Sequence, residues 1–541
     1  MVSISNPAGP AADGATGAPP ATLPGALSRR GLAGATAVIA LGNVLSRGLG
    51  LVREQVIAAT FGATGGTDAY VVARTVSATL YDLLVGSVIT AAFVPVFVHF
   101  ARDERQLWRV VGAVFSLAVL ALASIAALLA LFPEPLAWAL AGGFPPERRE
   151  LSARLLRVAL VSVVFQGLAG VLTGVLYAQH RFTRPAFAAA AYNAGVIVGV
   201  LFFSATLGVE ALALGLVLGG LGQFLLQAAG LRAFWRAYRP RVDLRDPAVR
   251  RVLALSGPVA AGMLVTVAGY ALDINLASRL PAGGLSAKQY ATTLIQFPLG
   301  MVGLAASVAI LPTLSRFGGG AEASARGYRE ALLFGVKLIL LLMLPALAGL
   351  LVLAHPVVAV LFERGAFKPA DTALTADIVL AFAPQLPLTA LDYLLIVAFY
   401  ARQNTRTPVL VGVASVAAYL AVALVLLQAL GIVGLALADT AKNSAHALIL
   451  LALLRRALPD LQLAQGLAPF LARVLPAAGL MGGALWLAWP TLGRAGNLPG
   501  LCVAVGLGAL AYGALLQALG VPEARAAVAL LRARAGRQPS G

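Results

Sequence analysis

The sequence has few charged residues and almost no cysteine. Only 11% of its 541 residues are Asp, Glu, Lys or Arg, whereas soluble domains usually carry about 25%. A chain of this length with so few charges cannot cover a soluble surface, which excludes a cytosolic enzyme, a secreted disulfide-bonded scaffold and a disordered protein. The single cysteine, Cys502, also excludes an internal disulfide.

Signatures of soluble catalysis are absent as well. The sequence contains no GxxxxGK[ST] nucleotide-binding motif, no CxxC or HExxH motif and no GxSxG motif, and its four histidines are scattered. We therefore expect no catalytic residue, no metal site and no nucleotide cofactor. Any transport would then be driven by the membrane potential or by an ion gradient.

Hydrophobic residues make up 60% of the chain, and the mean hydropathy is +0.88. They form apolar runs of about 20 residues or more, the length that an α-helix needs to cross a bilayer. No run alternates as membrane β-strands do. The sequence therefore predicts an all-α polytopic membrane protein with about 14 transmembrane helices. The predicted spans are 34–60, 70–99, 108–132, 152–178, 186–208, 210–234, 253–279, 287–315, 329–353, 373–400, 408–429, 431–454, 469–490 and 498–519.

The chain is basic, with 40 Lys and Arg against 22 Asp and Glu. Such an excess indicates either a nucleic-acid partner or the positive-inside bias of membrane proteins. The arginines concentrate in loops that follow even-numbered spans and in both terminal segments, whereas most other loops are poor in cations. We therefore favour the membrane explanation, expect no nucleic-acid partner and predict that both termini are cytoplasmic.

Two short stretches recur in the two halves of the chain. Residues 176–185 resemble residues 399–408, and residues 93–97 resemble residues 310–314. Because each pair lies at the same place in a six-span unit, we predict two parallel six-helix repeats around a central cavity that works by alternating access. The predicted organisation is a disordered cytoplasmic tail (1–30), an N-lobe (31–240), a C-lobe (241–460), two extra helices (461–520) and a second cytoplasmic tail (521–541).

Ionisable side chains inside the spans of the first half are the first candidate site. They are costly in lipid and usually face a cavity or a partner. Span 1 carries Arg47 and Arg53, and span 2 carries Arg74. Arginine offers a planar fork of donors to anionic oxygens, so one interpretation is a cationic cavity that holds phosphate. The alternatives are a structural pair of Arg53 with Glu54 or Asp68, and an Arg74 that snorkels to the interface.

The second half has its own polar residues. Asp273 lies near one end of span 7, and a polar stripe follows one face of span 12. One interpretation is proton or cation coupling through Asp273, Asp439 and Lys442. The other is structural ion pairing of Asp439 with Lys442, and of Asp273 with Arg279 or Lys288. The stripe consists of Asp439, Lys442, Asn443 and His446.

Short motifs follow one another along the chain. They include SRGLGLVRE at 46–54, FGA at 61–63, TDA at 67–69, AFVP at 92–95, RFTRPAF at 181–187 and LFERGAF at 361–367. In this order and spacing they resemble the MurJ/MviN lipid II flippases of the multidrug/oligosaccharidyl-lipid/polysaccharide exporter superfamily. The resemblance covers about residues 35–460.

The resemblance implies a flippase, not an enzyme. Such a protein moves undecaprenyl-pyrophosphate-linked lipid II to the outer leaflet of the bacterial cytoplasmic membrane. It implies that Arg47 and Arg53 contact the pyrophosphate in a cationic cavity, and that Asp68 is the family's acid at the outer end of span 2. Spans 13 and 14 would form a groove for the lipid tail. Some members bind sodium in the C-lobe, where Asp273 matches one ligand. The implied partners are lipid II or a related polyprenyl-pyrophosphate glycan, membrane lipids and cell-wall synthesis proteins.

The chain departs from the family at two cavity cations. Tyr81 and Thr293 stand where the family has arginines, and Arg74, two turns before Tyr81, is a candidate replacement. Span 11 has no acid or amide before Gln428, which weakens the match to the sodium site. These departures leave alternatives: a paralogue that flips another polyprenyl-linked glycan, a drug or metabolite antiporter of the same superfamily, or a non-transporting scaffold for wall-synthesis proteins.

Overall fold

A computed structural model describes residues 29–303, 310, 313–316, 322–458, 463–493 and 497–523. Within these residues every regular element is a helix, which confirms the all-α prediction. Almost all of the predicted disordered tail (1–30) and of the second predicted cytoplasmic tail (521–541) lies outside the described residues, so both predictions stay open.

The described helices are numbered here in chain order. The first half contains α1 (Arg29–Phe61), α2 (Gly65–Tyr81), α3 (Val94–Phe100), α4 (Glu104–Leu131), α5 (Pro133–Ala141), α6 (Pro146–Ala178), α7 (Thr183–Ala186), α8 (Ala188–Leu207), α9 (Glu210–Ala228) and α10 (Arg232–Ala237). The rest of the chain contains α11 (Pro247–Ala277), α12 (Gly284–Pro298), α13 (Glu322–Phe362), α14 (Pro369–Phe382), α15 (Gln385–Ala401), α16 (Arg406–Ala457), α17 (Leu463–Leu492) and α18 (Asn497–Ala518). Turns of π-helix occupy Asp82–Gly86, Ile89–Phe93 and Leu299–Gly303.

The described helices that could cross a membrane are fewer than the fourteen predicted spans. Nine helices in the described part of the chain are long and apolar enough to cross a membrane, or up to eleven if each of two bent pairs is one span. The count of fourteen is therefore not confirmed, although every predicted span overlaps helical residues. One reason is that α16, with 52 residues, contains two predicted spans. Gly431 separates them with φ 56° and ψ −128°, a conformation that glycine adopts without a Cβ clash.

Close helix packing builds the first half. Helix α6 packs against α2, α4 and α9, and α8 packs along α9. At the α8–α9 contact a Cβ on Gly199 would lie 2.4 Å from the Cα of Gly215, so only glycine fits there. Small residues of this kind let membrane helices approach to backbone distance, where van der Waals contact holds them together.

The second half packs in the same manner and meets the first along a shared core. Helix α13 contacts α14, α15, α17 and α18, and α15 packs on α16. Between the halves, α12 contacts α1 and α2, while α11 contacts α5. One hydrophobic cluster runs through both halves, from Ile57 and Tyr70 to Leu294 and Phe362. The boundaries predicted for the lobes stay a prediction.

Candidate functional site

The predicted acid Asp68 lies at a contact between the two halves. It stands in the first turn of α2, which begins with a capping box between Thr64 and Thr67. Its side chain is 1% exposed, and its carboxylate accepts hydrogen bonds from the backbone N–H of Gly283 at 2.7 Å and of Ser286 at 2.8 Å. The Ser286 hydroxyl donates a third bond, at 2.9 Å. A carboxylate at this helix terminus satisfies free N–H groups of α12 and complements the helix dipole.

Two further hydrogen bonds join the halves beside Asp68. The Tyr290 hydroxyl donates to the carbonyl of Gly62 at 3.0 Å, and the N–H of Ala366 donates to the carbonyl of Ala59 at 2.8 Å. Both acceptors belong to the end of α1 and the turn after it. We call these residues, together with Gly365 beside Ala366, the inter-half latch: Ala59, Gly62, Asp68, Gly283, Ser286, Tyr290, Gly365 and Ala366.

Glycine is required at two positions of the latch. A Cβ on Gly283 would lie 2.3 Å from the carbonyl oxygen of Ala63, and a Cβ on Gly365 would lie 2.2 Å from that of Ala59. Both glycines have positive φ, 89° and 62°, which side chains disfavour for a second reason. The halves therefore touch through backbone at the latch.

Arg53 lies in a buried cluster of the first half. It is 7% exposed; one guanidinium nitrogen pairs with Glu54, and another donates to the side-chain oxygen of Asn193 at 2.8 Å. Glu54, 1% exposed, also pairs with Arg74 at 3.2 Å. Two cations thus share one acid, and α1, α2 and α8 are joined. The pair of Arg53 with Glu54 is the one expected if Arg53 has a structural role, and Arg74 pairs with the same acid. Binding of phosphate by Arg53 and Arg74 stays a prediction.

Arg47 has different partners. Its guanidinium donates to the backbone carbonyl of Gln296 at 3.2 Å, across from α1 to α12. It lies so close to Gly300 that a Cβ there would be 1.9 Å from the Arg47 Cζ. No carboxylate lies within ion-pair distance of Arg47 in the described residues. The half-buried Arg47 therefore carries a positive charge without an acid to balance it.

The predicted ionisable residues of the second half form one network. The Lys288 ammonium contacts the carboxylates of Asp273 and Asp439, the latter at 2.8 Å. Asp439 also pairs with Lys442 at 2.7 Å, and the Tyr419 hydroxyl donates to Asp273 at 2.6 Å. We call these five residues the carboxylate–lysine network. It joins α11 and α12 to both parts of α16. Sequence reasoning offered Lys288 as one partner of Asp273, but it missed Tyr419 and the bridge to Asp439.

A cavity of about 480 Å³ adjoins this network. Its wall includes Lys442, Tyr270 and His446 of the second half, and Thr75 of α2, so it lies between the halves. His446 is held by Asp392, with 2.6 Å between ring nitrogen and carboxylate oxygen. Among the described residues that line the cavity none is an arginine. The structure thus separates the predicted site residues into three places: the latch, the arginine contacts and the network.

A second cavity is almost wholly apolar. It measures about 430 Å³ and lies among α12, α13, α17 and α18, with Leu51 of α1 at one side. Phe297, Met481, Leu485 and Val505 are among the side chains that line it. An apolar groove of this kind fits a hydrocarbon chain, because burial of CH₂ groups is favourable and needs no polar partner.

The two positions that depart from the family lie in α12 and at the end of α2. The Thr293 hydroxyl donates within its own helix, to the carbonyl of Gln289 at 3.1 Å. Tyr81 ends α2, and the π-helical turn Asp82–Gly86 follows it directly. Sequence reasoning missed the π-helical turns of span 2. Such turns occur often at functional sites in membrane and soluble helices alike.

The comparisons with known proteins agree with this architecture. The family model of the lipid II flippase MurJ matches residues 57–494. The chain is similar to a probable lipid II flippase MurJ of Vibrio cholerae serotype O1, 32% identical over 512 residues, which covers 90% of this chain and 95% of the relative. It is also similar to the lipid II flippase MurJ of Burkholderia cenocepacia, 31% identical over 386 residues, with 69% and 73% covered.

Solved structures show the same fold. A lipid II flippase MurJ in an inward closed conformation has a TM-score of 0.74 at 20% identity, covering 89% of this chain and 99% of that chain. An inward-facing multidrug resistance transporter of the MATE family, from the MOP superfamily, has a TM-score of 0.64 at 15% identity, covering 77% and 95%. The protein is therefore a multi-pass membrane protein, and the chain belongs to the lipid II flippase MurJ family.

Proposed function

We propose that the protein is a transporter that moves lipid II from the inner to the outer leaflet of the bacterial cytoplasmic membrane by alternating access. The observation that carries this proposal is the match of the lipid II flippase family model across residues 57–494. The Vibrio cholerae relative, a probable lipid II flippase, matches over 95% of its own length, so the proposal does not depend on a shared fragment.

Arg47 is the residue that we propose to bind the pyrophosphate of the substrate. Its guanidinium is half-buried and contacts a backbone carbonyl, and no carboxylate of the described chain neutralises it. Arg53 and Arg74 share the single acid Glu54, so their cluster adds one further positive charge beside it. Charge-assisted bonds from arginine to phosphate oxygens are among the strongest hydrogen bonds in proteins.

Asp68 has a different proposed role. Its two carboxylate oxygens are occupied by the N-terminus of α12, and they are closed to solvent in this conformation. We expect Asp68 to hold the latch shut while the substrate head group enters, and to meet the substrate only after the latch opens. The apolar cavity beside α17 and α18 is the proposed place for the lipid tail.

The energy source and the orientation belong to the same proposal. The sequence has no GxxxxGK[ST] motif, so we propose that the membrane potential or an ion gradient drives transport. The arginine distribution of the loops supports cytoplasmic termini. Contacts with cell-wall synthesis proteins stay a prediction.

A complementation experiment tests the proposal. A bacterium depleted of its own lipid II flippase would receive the wild-type chain, Arg47→Gln or Arg154→Gln. Arg154 is the matched control, because it is half exposed on α6 and pairs with Glu150 at the surface. We expect rescue by the wild type and by Arg154→Gln, and none by Arg47→Gln at an equal membrane level.

Two results would contradict the proposal. Rescue by Arg47→Gln as strong as that by the wild type would remove Arg47 from substrate binding. Failure of the wild type to rescue, when it is folded and inserted and also fails to move fluorescent lipid II across proteoliposomes, would exclude lipid II as the substrate.

A further inference from the structure

The carboxylate–lysine network is electrically complete without any added ion. Two carboxylates, Asp273 and Asp439, face two ammonium groups, Lys288 and Lys442. The Lys288 side chain is 6% exposed, and the exposed fractions of Asp273 and Asp439 are 21% and 15%. Ions removed from water to this extent are stable only when opposite charges and hydrogen bonds compensate them.

The position of Lys288 is the decisive feature. Its ammonium lies between carboxylates of two different helices, α11 and α16, and it reaches them from a third helix, α12. A metal cation that bridged the same two carboxylates would need the same space. It would also meet the positive charge of Lys288 at contact distance, which a low-dielectric site makes very unfavourable.

The residues present therefore do not fit the sodium site that the family resemblance implies. Asp273 offers a carboxylate, but its oxygen already accepts from Lys288 and from the Tyr419 hydroxyl. The first part of α16 has no acid or amide before Gln428 to complete an oxygen shell. Among the described residues no group of three or more His, Cys, Asp or Glu residues is arranged to hold a metal ion.

We propose that Lys288 is a tethered cation that takes the place of a diffusible sodium ion between Asp273 and Asp439. The second half of the protein is then held together by its own ammonium group at every sodium concentration. If the proposed lipid II transport is correct, it follows that the transport cycle does not require sodium; the structural proposal itself is independent of the substrate.

The experiment exchanges the tethered cation for a free one. Lys288→Met keeps most of the side-chain volume and removes the ammonium, so that the network has two carboxylates and only one ammonium group, that of Lys442 paired with Asp439. The matched control is the double variant Asp273→Asn with Lys288→Met, which removes one charge of each sign and leaves the Asp439–Lys442 pair. Thermal unfolding of each purified protein would be measured in NaCl, KCl and choline chloride at about 0.15 M, a constant ionic strength.

We expect sodium to affect only the single variant. The unfolding temperature of the wild type should be equal in the three salts to within about 1 °C. That of Lys288→Met should fall in choline chloride and recover by at least about 3 °C in NaCl, because a ligand that binds only the folded state stabilises it. The double variant should again show no difference between salts.

Three outcomes would overturn the proposal. One is an unfolding temperature of the wild type that sodium raises and that Asp273→Asn makes insensitive to sodium. Another is a folded Lys288→Met that does not respond to sodium. If Lys288→Met cannot be purified in any salt, equilibrium binding of ²²Na⁺ to the wild type decides: saturable binding that Asp273→Asn abolishes contradicts the proposal, and its absence supports it. None of these measurements uses lipid II. They therefore test the role of Lys288 even if the proposed transport function is wrong.

Discussion

The two halves of the molecule treat buried charge in opposite ways. In the first half, Arg53 and Arg74 share one acid, Glu54, so the cluster keeps a net positive charge. In the second half, two acids face two lysines, and the network is neutral. A surplus of buried charge is costly unless an ion of the opposite sign arrives. We therefore expect an anion to bind in the first half rather than in the neutral network of the second half.

Arg47 increases this contrast. It belongs to α1 but reaches α12 and the π-helical turn after it, where its guanidinium donates to the Gln296 carbonyl and lies against Gly300. The unbalanced positive charge of the first half is thereby presented at the boundary between the halves. An anionic head group that lies there would meet Arg47 first, with the Arg53–Arg74 cluster of α1 and α2 behind it.

The largest expected effect comes from removing the acid that the first-half cluster shares. Glu54→Gln leaves the buried Arg53 and the half-buried Arg74 together without a counter-ion, so we expect the free energy of unfolding to fall by about 3–5 kcal/mol. Glu150→Gln is the control, because Glu150 is 68% exposed and pairs at the surface. It should change the free energy by less than about 1 kcal/mol. Denaturant titration of both proteins in detergent measures this, and equal losses would refute the contrast between buried and exposed pairs.

A smaller effect is expected at the latch. Ser286→Ala removes one of the three hydrogen bonds to the Asp68 carboxylate and should weaken the closed conformation by about 1.5–3 kcal/mol, the usual value for a bond to a charged group. Hydrogen exchange in the first turn of α12 should then rise about tenfold or more. Ser77→Ala is the control, since the buried Ser77 hydroxyl donates to the Ala73 carbonyl within α2. Unchanged exchange in Ser286→Ala would show that the latch does not depend on this hydroxyl.

The smallest effect on stability should accompany a loss of function. Gly300→Ala places a methyl group 1.9 Å from the Arg47 Cζ, and the flexible arginine must move away. We expect unfolding to change by about 1 kcal/mol at most, while rescue of a flippase-depleted bacterium falls to the level of Arg47→Gln. Gly479→Ala on α17 has nothing within 4 Å of the new Cβ and should rescue fully. Full rescue by Gly300→Ala would show that the position of Arg47 is not critical.

Much of the fold could be predicted from the sequence because hydropathy is a local property. Every predicted span overlaps helical residues, including the two within α16 that Gly431 separates. The π-helical turns were not predictable, since no residue pattern distinguishes Asp82–Gly86 from ordinary helix. The number of true crossings also depends on how helices tilt and bend, which apolar length alone does not determine.

The sequence predicted most of the site residues but few of the contacts between them. Arg53, Asp68 and Asp439 are candidates from the sequence because an ionisable side chain inside a membrane span is costly and usually faces a cavity or a partner. Their partners lie far away in sequence: Arg53 bonds Asn193 across 140 residues, and Asp68 bonds Ser286 across 218. A single sequence has no signal for such pairs. The choice between a structural and a functional arginine depends on these distant partners, so the sequence alone does not determine it.

The glycines of the latch have a mechanical consequence. Where two halves of a protein meet through side chains, the contact can loosen gradually because the side chains can change rotamer. At Gly283 and Gly365 backbone faces backbone, with no atoms in between that can rotate. The N–H of the half-buried Ala366 donates to the carbonyl of Ala59, and it needs another acceptor once the halves separate. We therefore expect these backbone contacts to be lost over a short separation of the halves, which favours an abrupt opening over a gradual one.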